Sequence, residues 1–69
     1  MGQTRYDKAK DFLLKIKQKE GTNIVKTDLF IIEMRKALGD DPKRVILPYI
    51  KLMKDFNLIS EEDENVRIN

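Results

Sequence analysis

Residues 41–59, DPKRVILPYIKLMKDFNLI, decide the fold. At 100° per residue, the apolar side chains of this stretch fall on one helical face that spans an arc of roughly 160°. These side chains are Leu52, Val45, Phe56, Tyr49, Met53, Ile46 and Ile50. An apolar face this wide predicts a helix that packs on a core, with the other elements of the domain arranged around it.

Residues at both ends of the stretch are typical of helix termini. Asp41 can cap the first turn through its carboxylate, and Pro42 suits the first helical position, where no N–H is needed. Asn57 suits the left-handed conformation that often follows a helix. Pro48 costs about 3 kcal/mol inside a regular helix. We expect a kink at Pro48, because the apolar arc keeps its phase there. The alternative is a separate turn over residues 42–47 and a long helix from near Pro48.

The opposite side of this helix carries only positive charge. Lys43, Arg44, Lys51 and Lys54 lie within about 100° of one another, and Asp55 falls just beyond them. We call these four residues the basic face. A helix face of one sign, opposite a wide apolar face, is typical of a helix that docks on a polyanion. The alternative is that the four side chains are only the solvated side of a core helix.

The preceding residues predict a first helix that ends before Gly21. Thr4 is followed three residues later by Asp7, which is the spacing of a capping box. Glycine is common at the position that follows a helix, so we expect the helix to stop near Glu20. Its apolar side chains share an arc of about 120° and are Tyr6, Ala9, Phe12, Leu13 and Ile16.

A short strand and a second helix should connect the first helix to the organising stretch. Residues 22–26 are short and β-branched, which predicts a strand. Thr27 can cap a helix over residues 28–38, which Gly39 would end. We expect this helix to bury Phe30, Ile31, Met34, Ala37 and Leu38.

The end of the chain predicts an acidic hairpin. Leu58 and Ile59 begin one strand, residues 61–64 form an acidic turn, and Val66 and Ile68 alternate with polar residues in a second strand. Residues 1–57 carry 13 basic and 8 acidic side chains, for a net charge of +5. Residues 58–69 carry 1 basic and 4 acidic side chains, for a net charge of −3. The charge is therefore uneven along the chain.

This order of elements, in a single domain of residues 1–69, resembles the winged helix-turn-helix domain. The segment from Lys43 that closes in Phe56-Asn57-Leu58-Ile59 looks like the recognition helix and first wing strand of small archaeal and bacterial regulators. The resemblance implies a mainly α (α+β) fold with three helices plus a small C-terminal β-hairpin. Family members commonly have glycine where Asn57 stands. Their wing often contacts the DNA backbone, whereas here the wing is acidic and Arg67 is its only base.

The basic face and the resemblance together predict a DNA-binding protein, a small transcriptional regulator that binds duplex DNA through the helix at residues 42–56. The basic face would meet the duplex, with Arg44 as the candidate for a base-edge contact. Leu47 lies within the basic face and could meet a thymine methyl group or a protein. Lys26 and the backbone N–H groups beside Thr27 could hold a phosphate at the start of the second helix.

The alternative function is a protein-interaction module, acting as a small accessory subunit of a DNA replication complex or another nucleic-acid complex. Four apolar residues lie outside the predicted buried arcs: Leu14, Leu29, Ile32 and Leu47. If they cluster on the surface, they would form a protein interface. A homodimer or a larger protein partner would use the same surface. It is equally open that the second helix simply buries Leu29 and Ile32.

Composition disfavours other classes of function. The chain has no cysteine and no histidine, so disulfides, the usual zinc sites and the usual general base are missing. The carboxylates at Asp40-Asp41 and at residues 61–64 fit a capping turn and a solvated loop. We therefore expect no catalytic residues, metal, cofactor or small-molecule ligand. No apolar run is long enough to span a membrane, and no signal peptide is evident, which predicts a cytoplasmic protein without a membrane partner.

Overall fold

The computed structural model describes residues 4–69. The elements are α1 (Arg5–Glu20), β1 (Ile24–Lys26), α2 (Thr27–Ala37), a π-helical turn (Pro42–Ile46), α3 (Leu47–Asp55), β2 (Ile59–Glu62) and β3 (Asn65–Ile68). Within the described residues the fold is α+β, with three α-helices and a three-stranded antiparallel sheet. The α+β class predicted from the sequence is therefore confirmed.

Local capping fixes α1 as predicted. The Thr4 hydroxyl accepts a hydrogen bond from the Asp7 N–H at 3.1 Å, and the Asp7 carboxylate accepts one from the Thr4 N–H at 3.4 Å. Gly21 has a φ of 68° and donates its N–H to the Lys17 carbonyl at 2.8 Å. Both termini of α1 follow these local signals. The helix buries Ala9, Phe12, Leu13 and Ile16, while Tyr6 is half-buried.

The C-terminal hairpin pairs with β1 to form the sheet, in the order β1-β3-β2. Val66 of the central strand lies opposite Val25 on one side and Glu61 on the other. The predicted hairpin is confirmed, but its turn consists only of Asp63 and Glu64, because the two preceding glutamates belong to β2. The hydrophobic face of the sheet buries Val25, Ile59, Val66 and Ile68.

The core lies between this sheet and the three helices. Phe30 and Met34 of α2 and Met53 of α3 are its most completely buried large side chains. Phe12 of α1 meets Phe30 edge to face, with ring centroids 5.4 Å apart. Aromatic pairs in this arrangement add stability beyond their buried area. Around this core, α3 packs against α1 and β2, while α2 packs against α1, the sheet and the π-helical turn.

The helix expected to kink at Pro48 is built in two parts. The Ile46 N–H donates to the Asp41 carbonyl at 3.1 Å, and the Leu47 N–H donates to the Pro42 carbonyl, so both bonds reach back five residues. Pro48 falls in the first turn of α3, where an α-helix leaves N–H groups unpaired. The backbone is nevertheless helical through the junction, since Ile46 and Leu47 both have right-handed helical angles. The separate turn offered as the alternative is therefore not seen, and the irregularity expected at Pro48 is a wide π-helical turn directly before α3.

The end of α3 is a Schellman motif, in which a left-handed residue allows two backbone bonds to close the helix. Asn57 has a φ of 56°, as predicted, and its N–H donates to the Lys54 carbonyl at 3.0 Å. The Leu58 N–H donates to the Met53 carbonyl at 2.7 Å. These bonds turn the chain sharply into β2.

Three burial and capping predictions were wrong. Ala37 is exposed, because α2 ends at this residue. Phe56 is also exposed, since it lies at the end of α3, beyond the last helical residue. Thr27 does not cap α2: the capping position is Lys26, whose side chain makes no capping bond, and Thr27 is the first helical residue.

Candidate nucleic-acid interface

The 42–56 segment is anchored at its N-terminus and along its inner side. The Asp41 carboxylate accepts hydrogen bonds from the N–H groups of Lys43 at 2.9 Å and Arg44 at 3.0 Å. On the inner side, Ile46, Tyr49 and Met53 are buried in the core. The basic side chains therefore project from a fixed backbone, as a nucleic-acid contact requires if its geometry is to be specific.

Three members of the basic face are exposed and free of ion pairs. Lys43, Arg44 and Lys51 are all exposed, and none of them forms a salt bridge with another described residue, 4–69. Leu47 lies among them and keeps 61% of its surface exposed. This part of the surface therefore offers three cations and one apolar side chain to a partner.

The fourth member, Lys54, is paired with an acidic residue of the sheet. Its Nζ lies 2.8 Å from the Oε1 of Glu61. Glu61 stands two positions after the buried Ile59 on β2, so both side chains project from the same face of the sheet, towards α3. The sequence showed no acid within the basic face, because the pairing carboxylate comes from another element.

The hairpin adds little positive charge of its own. Arg67, its only base, is paired with Glu62, with Nε 2.8 Å from Oε1. The turn residues Asp63 and Glu64 are exposed. A phosphate backbone brought against this turn would meet carboxylates, as the sequence suggested, and Arg67 is already neutralised by its ion pair.

The start of α2 is also surrounded by acids. The Thr27 N–H donates to the Glu64 carbonyl at 2.9 Å, so one N–H available for a phosphate is already bonded. Asp28, Asp63 and Glu64 line the same hollow as Lys26 and Thr27. This geometry does not favour the expected phosphate site, since carboxylates repel the anion that the helix terminus would attract.

The four apolar residues that lie outside the predicted buried arcs are spread over α1, α2 and α3. Leu14, Ile32 and Leu47 are exposed, whereas Leu29 is half-buried and packs against the core. Leu14 lines a hollow beside Leu58 that includes neither Ile32 nor Leu47. Sequence reasoning missed Phe56, which is 58% exposed, because helical periodicity placed it on the buried arc. The sequence did contain a signal for this exposure, because Phe56 stands directly before Asn57, where the helix was predicted to end.

The most perturbed titratable groups lie between α1 and α2 rather than on the basic face. Lys19 donates a hydrogen bond to Glu33, and this bond lowers the pKa of the Glu33 carboxyl. The same bond raises the pKa of Lys19. The pair ties α1 to α2.

No helix within residues 4–69 is long and apolar enough to cross a membrane. Over the same range, no three acidic side chains converge in a group that could hold a metal ion. Comparison with protein-family models, with curated proteins and with solved structures finds nothing that matches the chain. Inferences about its function therefore depend on its own geometry.

Proposed function

We propose that this protein is a winged helix-turn-helix domain that binds duplex DNA, as a small regulator does, through the first part of the 42–56 segment. The order of its elements and the pairing of β1 with a C-terminal hairpin support this architecture. One observation carries the proposed function. Lys43, Arg44 and Lys51 are exposed and form no salt bridge within residues 4–69, and the exposed Leu47 lies between them in sequence, on a segment whose inner side is buried.

The chemistry of these side chains suits the major groove. A helix fits that groove, and an arginine there can donate two hydrogen bonds to guanine, so Arg44 is the proposed base-reading residue. Leu47 would pack against a thymine methyl group. Lys43 and Lys51 would contact phosphates, whose charge they neutralise without regard to sequence. Lys54 would contribute less, because Glu61 already holds it.

In the proposed complex the acidic hairpin would not contact the DNA backbone, whereas the wing of many winged-helix domains does. With Arg67 paired and the turn acidic, the helix alone would supply the attraction. Binding should therefore be modest and only weakly salt-dependent, because few phosphates are neutralised. Two protomers on a symmetric site would raise the affinity without any new kind of contact.

Single substitutions test this proposal by fluorescence anisotropy on short duplexes at low salt. Lys43→Ala and Lys51→Ala should each weaken binding to every sequence. Arg44→Ala should cost about 1–3 kcal/mol on a selected preferred duplex and less on unrelated ones, if Arg44 reads a base. Lys8→Ala is the matched control, since Lys8 is an exposed lysine on α1 that carries no ion pair within residues 4–69. If Lys8→Ala weakens binding as much as Lys51→Ala, the attraction comes from net charge and the proposed interface is wrong.

The second candidate function is a protein-interaction module, the accessory-subunit role considered from the sequence. The exposure of Leu14 and Phe56 favours it, because both large apolar side chains lie on the side of the domain formed by α1 and the end of α3. This surface shares no residue with the proposed DNA interface. The two functions can therefore be tested separately, and one chain could combine them.

A further inference from the structure

A row of side chains with helical spacing runs along an outer side of α1. Tyr6, Lys10, Leu14 and Lys17 recur every three or four residues, so they lie on one side of the helix. Leu14 is 56% exposed, although it is a large apolar residue in the middle of the row. We call these four residues, with Phe56 and Leu58 beside them, the α1 strip.

A small apolar hollow lies at the middle of the α1 strip. Leu13 and Leu14 line it from α1, and Leu58 and Ile68 line it from the chain around the hairpin. The only charged side chains among its lining residues are Lys10 and Lys17. Neither lysine forms a salt bridge with another residue in the range 4–69. The hollow thus combines a mainly apolar floor, with Asn69 at its edge, and two lysines on its rim that carry no salt bridge within residues 4–69.

An aromatic pair, of which Phe56 is exposed and Tyr6 half-buried, extends this surface at one end. The ring of Phe56 meets that of Tyr6 edge to face, with centroids 4.9 Å apart. The Lys10 Nζ lies 5.3 Å from the centroid of the Tyr6 ring. This contact draws the Lys10 ammonium towards the Tyr6 ring. The aromatic pair and the hollow are therefore joined through Lys10.

We propose that the α1 strip binds an acidic, amphipathic helix of a partner protein. Lys10 and Lys17 are seven residues apart, which is two helical turns or about 10 Å along α1. A partner helix lying along α1 would match them with two carboxylates that are also seven residues apart. Apolar side chains between those carboxylates would fill the hollow beside Leu14 and Leu58. The inference is independent of the DNA-binding proposal, since it uses no residue of the basic face.

The charge of the α1 strip favours this occupant over the alternatives. A second copy would present a strip whose own charged members are lysines, so it would not supply the matching carboxylates. Duplex DNA would supply negative charge but nothing to fill the apolar hollow. An acidic amphipathic helix satisfies both requirements, by laying an apolar face into a hydrophobic groove with acids along its edges.

The test uses a fluorescent helical peptide of about 14 residues with two glutamates seven residues apart and leucines between them on the same face. A second peptide carries lysines in place of the glutamates. The wild-type protein should bind the glutamate peptide at least about tenfold more tightly. The double variant Lys10→Glu, Lys17→Glu should reverse that preference, and Leu14→Asp should weaken binding of the glutamate peptide about tenfold. The double variant Lys8→Glu, Lys36→Glu is the control for net charge and should keep the wild-type preference.

Three results would overturn the proposal. The first is a failure of the peptide assay. This means either that the wild type binds the two peptides equally, or that a Leu14→Asp variant that folds normally binds the glutamate peptide as the wild type does. The second is a loss of duplex DNA affinity in the Lys10→Glu, Lys17→Glu variant larger than in the charge control, which would assign the strip to DNA. The third is a dimer in sedimentation analysis that Leu14→Asp dissociates, which would assign the strip to a second copy. The duplex assays with Lys51→Ala report on DNA binding separately, so failure of one proposal leaves the other testable.

Discussion

Met53 is the side chain through which the core fixes α3, and its truncation should be severely destabilising. Met53 is fully buried, at 0% exposure, on the helix face opposite Leu47 and Lys51. Met53→Ala removes three heavy atoms, which corresponds to about 2 kcal/mol of lost burial at roughly 0.8 kcal/mol per methylene-sized group. The cavity left behind adds to this, so the total should fall within about 2–5 kcal/mol.

A loss of this size is large for so small a domain. A chain of 69 residues is expected to have a free energy of unfolding of about 3–10 kcal/mol, at about 0.05–0.15 kcal/mol per residue. Met53→Ala should therefore lower the melting temperature by about 10 °C or more, since each kcal/mol corresponds to roughly 4–8 °C at this size. Urea unfolding followed by circular dichroism measures the change directly. The slope of free energy against urea should stay constant if the native state is otherwise intact.

Leu47→Ala is the control, because Leu47 lies on the same helix but is 61% exposed. Its free energy of unfolding should change by no more than about 0.5 kcal/mol, as expected for a surface position. Ile50→Ala should fall between the two, since Ile50 is only half-buried. If Met53→Ala and Leu47→Ala have equal urea midpoints, the assignment of the buried and exposed faces of α3 is wrong, and with it the proposed interface.

Three further predictions follow from single contacts. The hydrogen bond from Lys19 lowers the pKa of Glu33, so the pair stabilises the fold above the pKa of an unfolded glutamate and loses that contribution as the pH falls through the lower folded value. Glu33→Gln should therefore flatten the acid side of a plot of melting temperature against pH. Asn57→Gly should leave the urea midpoint unchanged or raise it, whereas Asn57→Ala should cost about 1–2 kcal/mol, because φ is 56° there. Glu61→Gln should release Lys54 and strengthen binding to duplex DNA at low salt, measured by anisotropy; unchanged affinity would mean that Lys54 does not reach the DNA.

The termini of α1 could be predicted from the sequence because they depend on neighbouring residues. The capping box needs only Thr4 and Asp7, and the end needs only a glycine that tolerates a left-handed conformation at position 21. Asn57 carried the same kind of information at the end of α3. Such local signals predict the structure well, since they do not depend on contacts with distant elements.

The π-helical turn could not be predicted in the same way. Periodicity at 100° per residue assumes a regular α-helix, so it cannot reveal where the backbone bonds reach back five residues instead of four. The choice between a kink and a wide turn at Pro48 depends on how the segment packs against α2 and the core. Phe56 was misassigned for a related reason: the periodic pattern continued past the last helical residue of α3.

The electrostatics of the candidate interface depended on contacts between elements. Lys54 appeared free in the sequence, because its partner Glu61 lies on the edge strand beyond the turn at Asn57. The exposure of Lys43, Arg44 and Lys51 agreed with the helical pattern, since these residues lie opposite the buried face of their own helix. Patterns within one element were therefore informative, whereas charge pairs across elements required the structure.

The most direct test of DNA binding by the basic face is the salt dependence of duplex affinity. Each phosphate neutralised contributes about −0.9 to the slope of log affinity against log salt. With Lys43 and Lys51 on phosphates and Arg44 on a base edge, the wild type should give a slope of about −2. The triple variant with alanine at these positions should give a slope near zero and an affinity too weak to measure above about 100 mM salt. A wild-type slope near zero, or an unchanged slope in the triple variant, would contradict the account.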